Sequence, residues 1–367
     1  MNLWYNDKTL LYIMNIIEKR GIYEKIKKIL LIIVLLIIFP IGFNKLFKTD
    51  YSSLSENNKQ ILSEYDKFYA KNPNLWNNYD LNKKTIVVLD KNFMGDLFII
   101  NPQKEIRSLF ATRIKLPDSY KIKVYRVSKN YPKRIQYIMG NFNTKDKVYN
   151  ILGEKNIFYV KTDEDSLAPK FNSKRFVPFL SHEAFHYYMQ QNWTDLTFRG
   201  MSYSDSEIAL LDEEYKILDK IKDEVEKATS DKDLLDSHLK EYVSIMKKRK
   251  ENTDKEKLKA ELAEETIEGT AQYVGIKSAK SVDYDLGILY FINTNKVKFS
   301  EIVPTMKQGK VDQSIIGSHI VYDSGALLCF AMDKLDFLDW QQTLIEKNNN
   351  SIYTINDLIE DHYNQSK

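Results

Sequence analysis

The chain has 367 residues, 43% of them apolar and 29% charged, which supports a sizeable core and excludes intrinsic disorder. Its formal charge of +3 is the difference between 54 basic and 51 acidic side chains, so nothing in the balance marks a nucleic-acid binder. The single cysteine, Cys329, rules out an intramolecular disulfide framework and a thiolate metal cluster, and its apolar neighbours make it a small buried hydrophobe.

Residues 1–28 form a basic amino-terminal segment with Lys19, Arg20, Lys25, Lys27 and Lys28. The uncharged run from Ile29 to Phe43, extended past Lys45 to Phe47, is long enough for about one helical membrane crossing. The excess of positive charge ahead of it predicts a single-pass membrane protein with a cytoplasmic amino terminus and an extracytoplasmic remainder, as in a bacterial exported protein. No small-x-small pattern follows the run, so the anchor over 29–47 is expected to stay uncleaved. Residues 48–80 then read as a juxtamembrane helical spacer. Leu54, Ile61, Leu62 and Tyr65 recur there in Glu- and Lys-rich text that Asn72-Pro73-Asn74 closes.

Over 81–172 the pattern changes to short β-branched or aromatic runs at 85–89, 97–100, 122–127, 136–139 and 157–160, separated by turn residues. They predict a small mixed sheet. From 173 to 367 the periodicity is helical, so the fold class is α+β, with strands first and helices afterwards. Residues 204–255 within this half are expected to insert a helical hairpin. Ile208, Leu211, Tyr215, Leu218, Ile221 and Val225 recur at spacings of three and four, and a second amphipathic stretch from Leu234 to Met246 ends in Lys247-Lys248-Arg249-Lys250. The hairpin is a candidate lid or surface for a protein partner.

The segment that carries chemistry is His182-Glu183-Ala184-Phe185-His186. Four residues apart on a helix, the two imidazoles share one face and can reach a single zinc ion, while Glu183 turns toward the open side of the metal. A carboxylate there can take a proton from a water whose acidity the metal has raised. Phe176, Val177, Phe179, Leu180, Phe185 and Met189 give the helix buried faces, where unpaired imidazoles would be costly without a cation.

Downstream, Glu264-Glu265-Thr266-Ile267-Glu268-Gly269-Thr270-Ala271-Gln272-Tyr273 lies in strongly helical text. With it, the chain resembles the gluzincins. In these zinc peptidases two histidines of His-Glu-x-x-His and a glutamate of a later helix hold the metal, and the aminopeptidase N-like members write that later element Glu-Gly-x-Ala-x-Tyr. The resemblance, carried by residues from about Phe176 to Leu335, implies a zincin catalytic domain with Zn2+ on His182, His186 and Glu268. Glu264 is the alternative third ligand or a support for it. The resemblance also implies a tyrosine hydroxyl that stabilises an oxyanion, and Tyr322-Asp323-Ser324-Gly325 supplies Tyr322; His319, one turn earlier, is the second choice. The chain departs from the pattern at three places: residues 187–267 intervene between ligands, position 272 is Gln where thermolysin-like relatives place Asp, and Gly-x-Met-Glu-Asn is missing. The expected activity is hydrolysis of a peptide or protein substrate. The competing expectations are a gluzincin-like sensor without turnover and a zinc hydrolase of a non-peptide amide.

Overall fold

The computed structural model describes residues 22–32, 34, 50–92, 95–167, 174–196, 202–290 and 297–365. Among these residues no helix is long and apolar enough to cross a membrane. That finding overturns the expected single-pass anchor: residues 22–32 are helical, and most of the run 29–47 lies outside the described residues.

The stretch expected as a spacer is a core helix, α1 (Glu56–Lys71). Ser55 caps it by accepting from the Asn58 amide at 3.2 Å, and Asn72 ends it in the left-handed region at φ 43°. Ile61, Leu62, Tyr65 and Phe68 on its inner face are fully buried. Then come β1 (Ile86–Asp90), β2 (Leu97–Ile100), β3 (Ala111–Arg113), β4 (Val124–Val127), α2 (Arg134–Met139) and β5 (Phe158–Thr162). The five strands form one sheet in the order β3-β4-β2-β1-β5, antiparallel except for the parallel β1–β5 pair. The expected strand at 136–139 is part of α2. So short a run, with Tyr137, Ile138 and Met139 its apolar or aromatic residues, satisfies either period, and here Tyr137 turns inward while Ile135, Ile138 and Met139 stay exposed.

Period-two alternation sends the residues of β1 to opposite sides of the sheet, and both sides are covered. Ile86, Val88, Phe98, Ile100, Val124, Phe158 and Val160 join the main core with the helices. Val87, Leu89, Leu97, Ile99, Tyr125, Val127 and Tyr159 face a second, smaller core with Tyr131, Tyr137, Tyr149 and Ile151. The helical half is α3 (Phe176–Met189), α4 (Asp205–Val225), α5 (Lys232–Asn252), α6 (Lys255–Ser281), α7 (Ile302–Lys307), α8 (Val321–Lys334), α9 (Trp340–Asn348) and α10 (Ile355–Gln365). α4 and α5 pair as a hairpin whose apolar faces sink into the main core through Leu211, Leu218, Ile221, Leu235, Leu239 and Tyr242. The basic cluster at its end is not a solvated tip throughout, because Arg249 is buried between Glu214 and Glu261.

The longest helix among the described residues, α6, is the scaffold on which α3 and α8 lie. Gly269 and Gly325 form the crossing of α6 with α8: a Cβ at 269 would stand 2.5 Å from the Gly325 Cα, and one at 325 would stand 2.3 Å from the Glu265 carbonyl oxygen. Any other residue at either position would force the two backbones apart. This contact holds Tyr322, one turn before Gly325, beside Glu268.

Candidate metal centre

The first turn of α3 has no local side-chain cap; α1 supplies one from a distance. The buried Glu64 carboxylate accepts from the Val177 amide at 3.2 Å and pairs with Arg175, placing an anion at the positive end of the helix. Ala184 and Phe185 face the core, Phe185 against Trp76 with ring centroids 5.0 Å apart. His182 and His186 consequently turn toward α6, and Glu183 beside them is, like them, half-buried.

His182, His186 and Glu268 come together. His182 Nε2 and His186 Nε2 are 3.1 Å apart, and Glu268 Oε2 lies 3.2 Å from the first and 3.3 Å from the second. A tetrahedral ion with bonds of about 2.0–2.1 Å sets its ligand atoms about 3.3–3.4 Å apart, so the triangle has the size that zinc needs. Two imidazole nitrogens and one carboxylate oxygen are also a donor set of the right softness. The three side chains keep 12%, 20% and 18% of their surface exposed, which leaves one side of the triangle open to solvent. The carboxylate in the triad is that of Glu268; Glu264 stands one turn earlier on α6 and acts on the site through its charge.

The electrostatics follow from this packing. Burial opposes a charge on His186, but the Glu268 carboxylate outweighs it and raises the imidazole to about 9. Burial likewise works against the Glu268 carboxylate, and the two imidazoles overcome it, holding that group well below the usual carboxylate range. Glu183 is close enough for its charge to act on both His186 and Tyr322. The Tyr322 ring lies parallel to His182 at 6.0 Å between centroids, and its hydroxyl bonds to Glu268. Burial, reinforced by the charges of Glu268, Glu264 and Glu183, keeps that hydroxyl protonated far above neutral pH. It is therefore a hydrogen-bond donor at the rim of the triad.

His319 sits in the π-helical turn Ile316–Ile320 that leads into α8, exposed, with Nδ1 hydrogen-bonded to Ser318 Oγ at 2.8 Å. Its local desolvation lowers its pKa, which disfavours the imidazolium that an oxyanion partner would need. Tyr273, the last residue of the Glu-Gly-x-Ala-x-Tyr match, serves packing. Its hydroxyl donates to Asp333 at 2.5 Å and receives bonds from Lys277 at 2.8 Å and Gln341 at 3.3 Å, joining α6 to α8 and α9.

Sequence reasoning missed Gln190, the C-cap of α3. It is fully buried, its Oε1 meets His186 Nδ1, and its Nε2 donates to the Ile267 carbonyl at 3.0 Å and to Thr270 Oγ1 at 2.7 Å. The one signal in the sequence was its spacing of four from His186. No family model matches the chain, and no curated protein or solved structure matches it.

Proposed function

We propose that the chain is a zinc-dependent peptidase of the gluzincin kind, with His182, His186 and Glu268 as the protein ligands. The observation that carries this reading is the convergence of His182 Nε2, His186 Nε2 and Glu268 Oε2 on one point, every edge of the triangle 3.1–3.3 Å. A plain buried ion pair would need only His186 and Glu268; it gives no reason for a second imidazole nitrogen 3.1 Å from the first. A shared cation does.

When bound, zinc supplies Lewis acidity, polarising a carbonyl and lowering the pKa of a water. The chain's own groups do the rest. The Glu183 carboxylate accepts the proton of the attacking water, holds it, and passes it to the leaving amine nitrogen. The protonated Tyr322 hydroxyl, already aimed at Glu268, donates to the oxygen on which negative charge develops. Phe185 and the apolar face of α3 fix the helix that carries Glu183, and the crossing at Gly269 and Gly325 fixes the helix that carries Tyr322.

The test is metal content and hydrolysis of a broad peptide library by the purified protein. About one zinc per chain and cleavage are expected for the wild type. Glu183→Gln should retain the zinc and lose about 10²–10⁴-fold in turnover. Turnover that survives this substitution would refute the general-base role. A wild type that carries zinc and cleaves nothing in the library would replace the peptidase with a metal-binding protein.

A further inference from the structure

We infer that Gln190 is the positioning residue of the metal centre, a neutral carboxamide that fixes the tautomer of His186 and locks the α3 ligands in register with Glu268 on α6. The inference rests on reading the triad as a metal site and adds to it the part that orients the ligands.

The chemistry of Gln190's neighbours settles which way its amide points. The Ile267 carbonyl can only accept, so the atom facing it at 3.0 Å is the amide nitrogen. Thr270 Oγ1 spends its own hydrogen on the Thr266 carbonyl at 2.8 Å and so accepts the second amide hydrogen at 2.7 Å. Both hydrogens of the carboxamide are thereby committed to α6. Its oxygen is left for His186 Nδ1, and an amide oxygen only accepts, so Nδ1 must carry the proton. With zinc bound, the other nitrogen, Nε2, would then turn its lone pair to the ion, as a metal ligand must.

The same side chain also ties the two helices together at the level of the ligands. Ile267, which takes one amide hydrogen, immediately precedes Glu268. The Gln190 backbone amide bonds the His186 carbonyl at 3.2 Å, so the residue is held at both ends. A slip of α3 along α6 that separated His186 from Glu268 would also break the bonds to Ile267 and Thr270. Thermolysin-like relatives orient a ligand histidine with an aspartate; the group here is uncharged and comes from the ligand helix itself.

Two measurements on the full chain decide the matter. In zinc-loaded wild type with 15N-labelled histidine, His186 should show a protonated Nδ1 and a metal-bound Nε2; a metal-bound Nδ1 overturns the inference. Gln190→Leu, which keeps the volume and removes every side-chain hydrogen bond, should bind zinc about 10–100-fold more weakly. Its cobalt-substituted form should have an altered visible spectrum, a change in the ligand geometry that a loss of stability alone would not produce. Thr270→Val, which removes one of the two acceptors, should lose only a few-fold. Zinc affinity and cobalt spectrum unchanged in Gln190→Leu overturn the role of Gln190 alone. A wild type that takes up no zinc overturns both this inference and the metal centre. Should Gln190→Leu fail to fold, the tautomer measured in the wild type decides.

Discussion

Two buried polar clusters share α6 about two turns apart, and they are neutralised in different ways. Around Glu261 the cation belongs to the chain. Arg249, with 1% of its side chain exposed, bonds Glu214 at 2.7 Å through Nη1 and Glu261 at 2.9 Å through Nη2, and Tyr203 donates to Glu261 at 2.8 Å. Around Glu268 the described ion pairs are with two imidazoles, whose nitrogens also face each other. A guanidinium fills its own site with donors. The second cluster instead brings two imidazole nitrogens and a carboxylate oxygen within 3.1–3.3 Å of one another, a group that could hold an external cation. Burial of charge alone does not make a functional site; the direction in which the donors point does.

The largest effect is expected at the self-sufficient cluster. Arg249→Leu leaves Glu214 and Glu261 buried with no cation and should lose about 3–5 kcal/mol in urea denaturation, with or without zinc. His186→Ala should behave differently. The metal-free protein should lose less than Arg249→Leu does, because Glu268 keeps His182 beside it and part of its surface in solvent, and the gain of about 2.7 kcal/mol expected from zinc at a hundredfold excess over its Kd should vanish. If zinc still stabilises His186→Ala, the cation binds elsewhere and the contrast between the clusters collapses. Smaller again is Gly269→Ala, whose new Cβ would stand 2.5 Å from the Gly325 backbone. Spreading α6 from α8 should lose about 1–3 kcal/mol, measured by thermal melting. It should also draw Tyr322 away from Glu268, lowering the pKa of that hydroxyl in a spectrophotometric titration.

What the sequence revealed and what it hid follow from distance along the chain. The spacing of His182 and His186 is local, and the helix that carries it has obvious apolar faces, so both were legible. Four of the five strands were legible for the same reason. β3 was not, because Ala111-Thr112-Arg113 has no alternating pattern and is a strand only through its pairing with β4. α1 looked like a spacer because its core face is interleaved with Glu and Lys, and only the packing shows Glu64 capping α3. Gln190 was invisible as a functional residue, since the groups that orient it lie 77 and 80 residues away. The role of Arg249 was masked by its lysine neighbours, and its partners stand 35 and 12 residues off. The expected membrane anchor rested on hydropathy and on the basic residues ahead of the run, and no described helix is long and apolar enough to cross a membrane.

A pH-dependent effect sharpens the comparison further. Glu265 lies between the two clusters, 4% exposed, with one carboxyl oxygen taking a bond from Ser324 and the other buried without a partner among the described residues. Burial, with the charge of Glu214 added, pushes its pKa up to about 8. In the unfolded chain the group titrates near about 4.3. Between these values the folded state keeps a proton that the unfolded state has released, so this residue makes stability fall as pH rises through the interval. Glu265→Gln removes the titration and keeps the shape. Relative to the wild type it should be near neutral at about pH 4 and increasingly stabilising up to about pH 8, then level off. Unfolding free energies measured across that range give the answer directly. A difference that stays flat would mean Glu265 is ionised in the folded protein, and that Arg249 neutralises three carboxylates, not two.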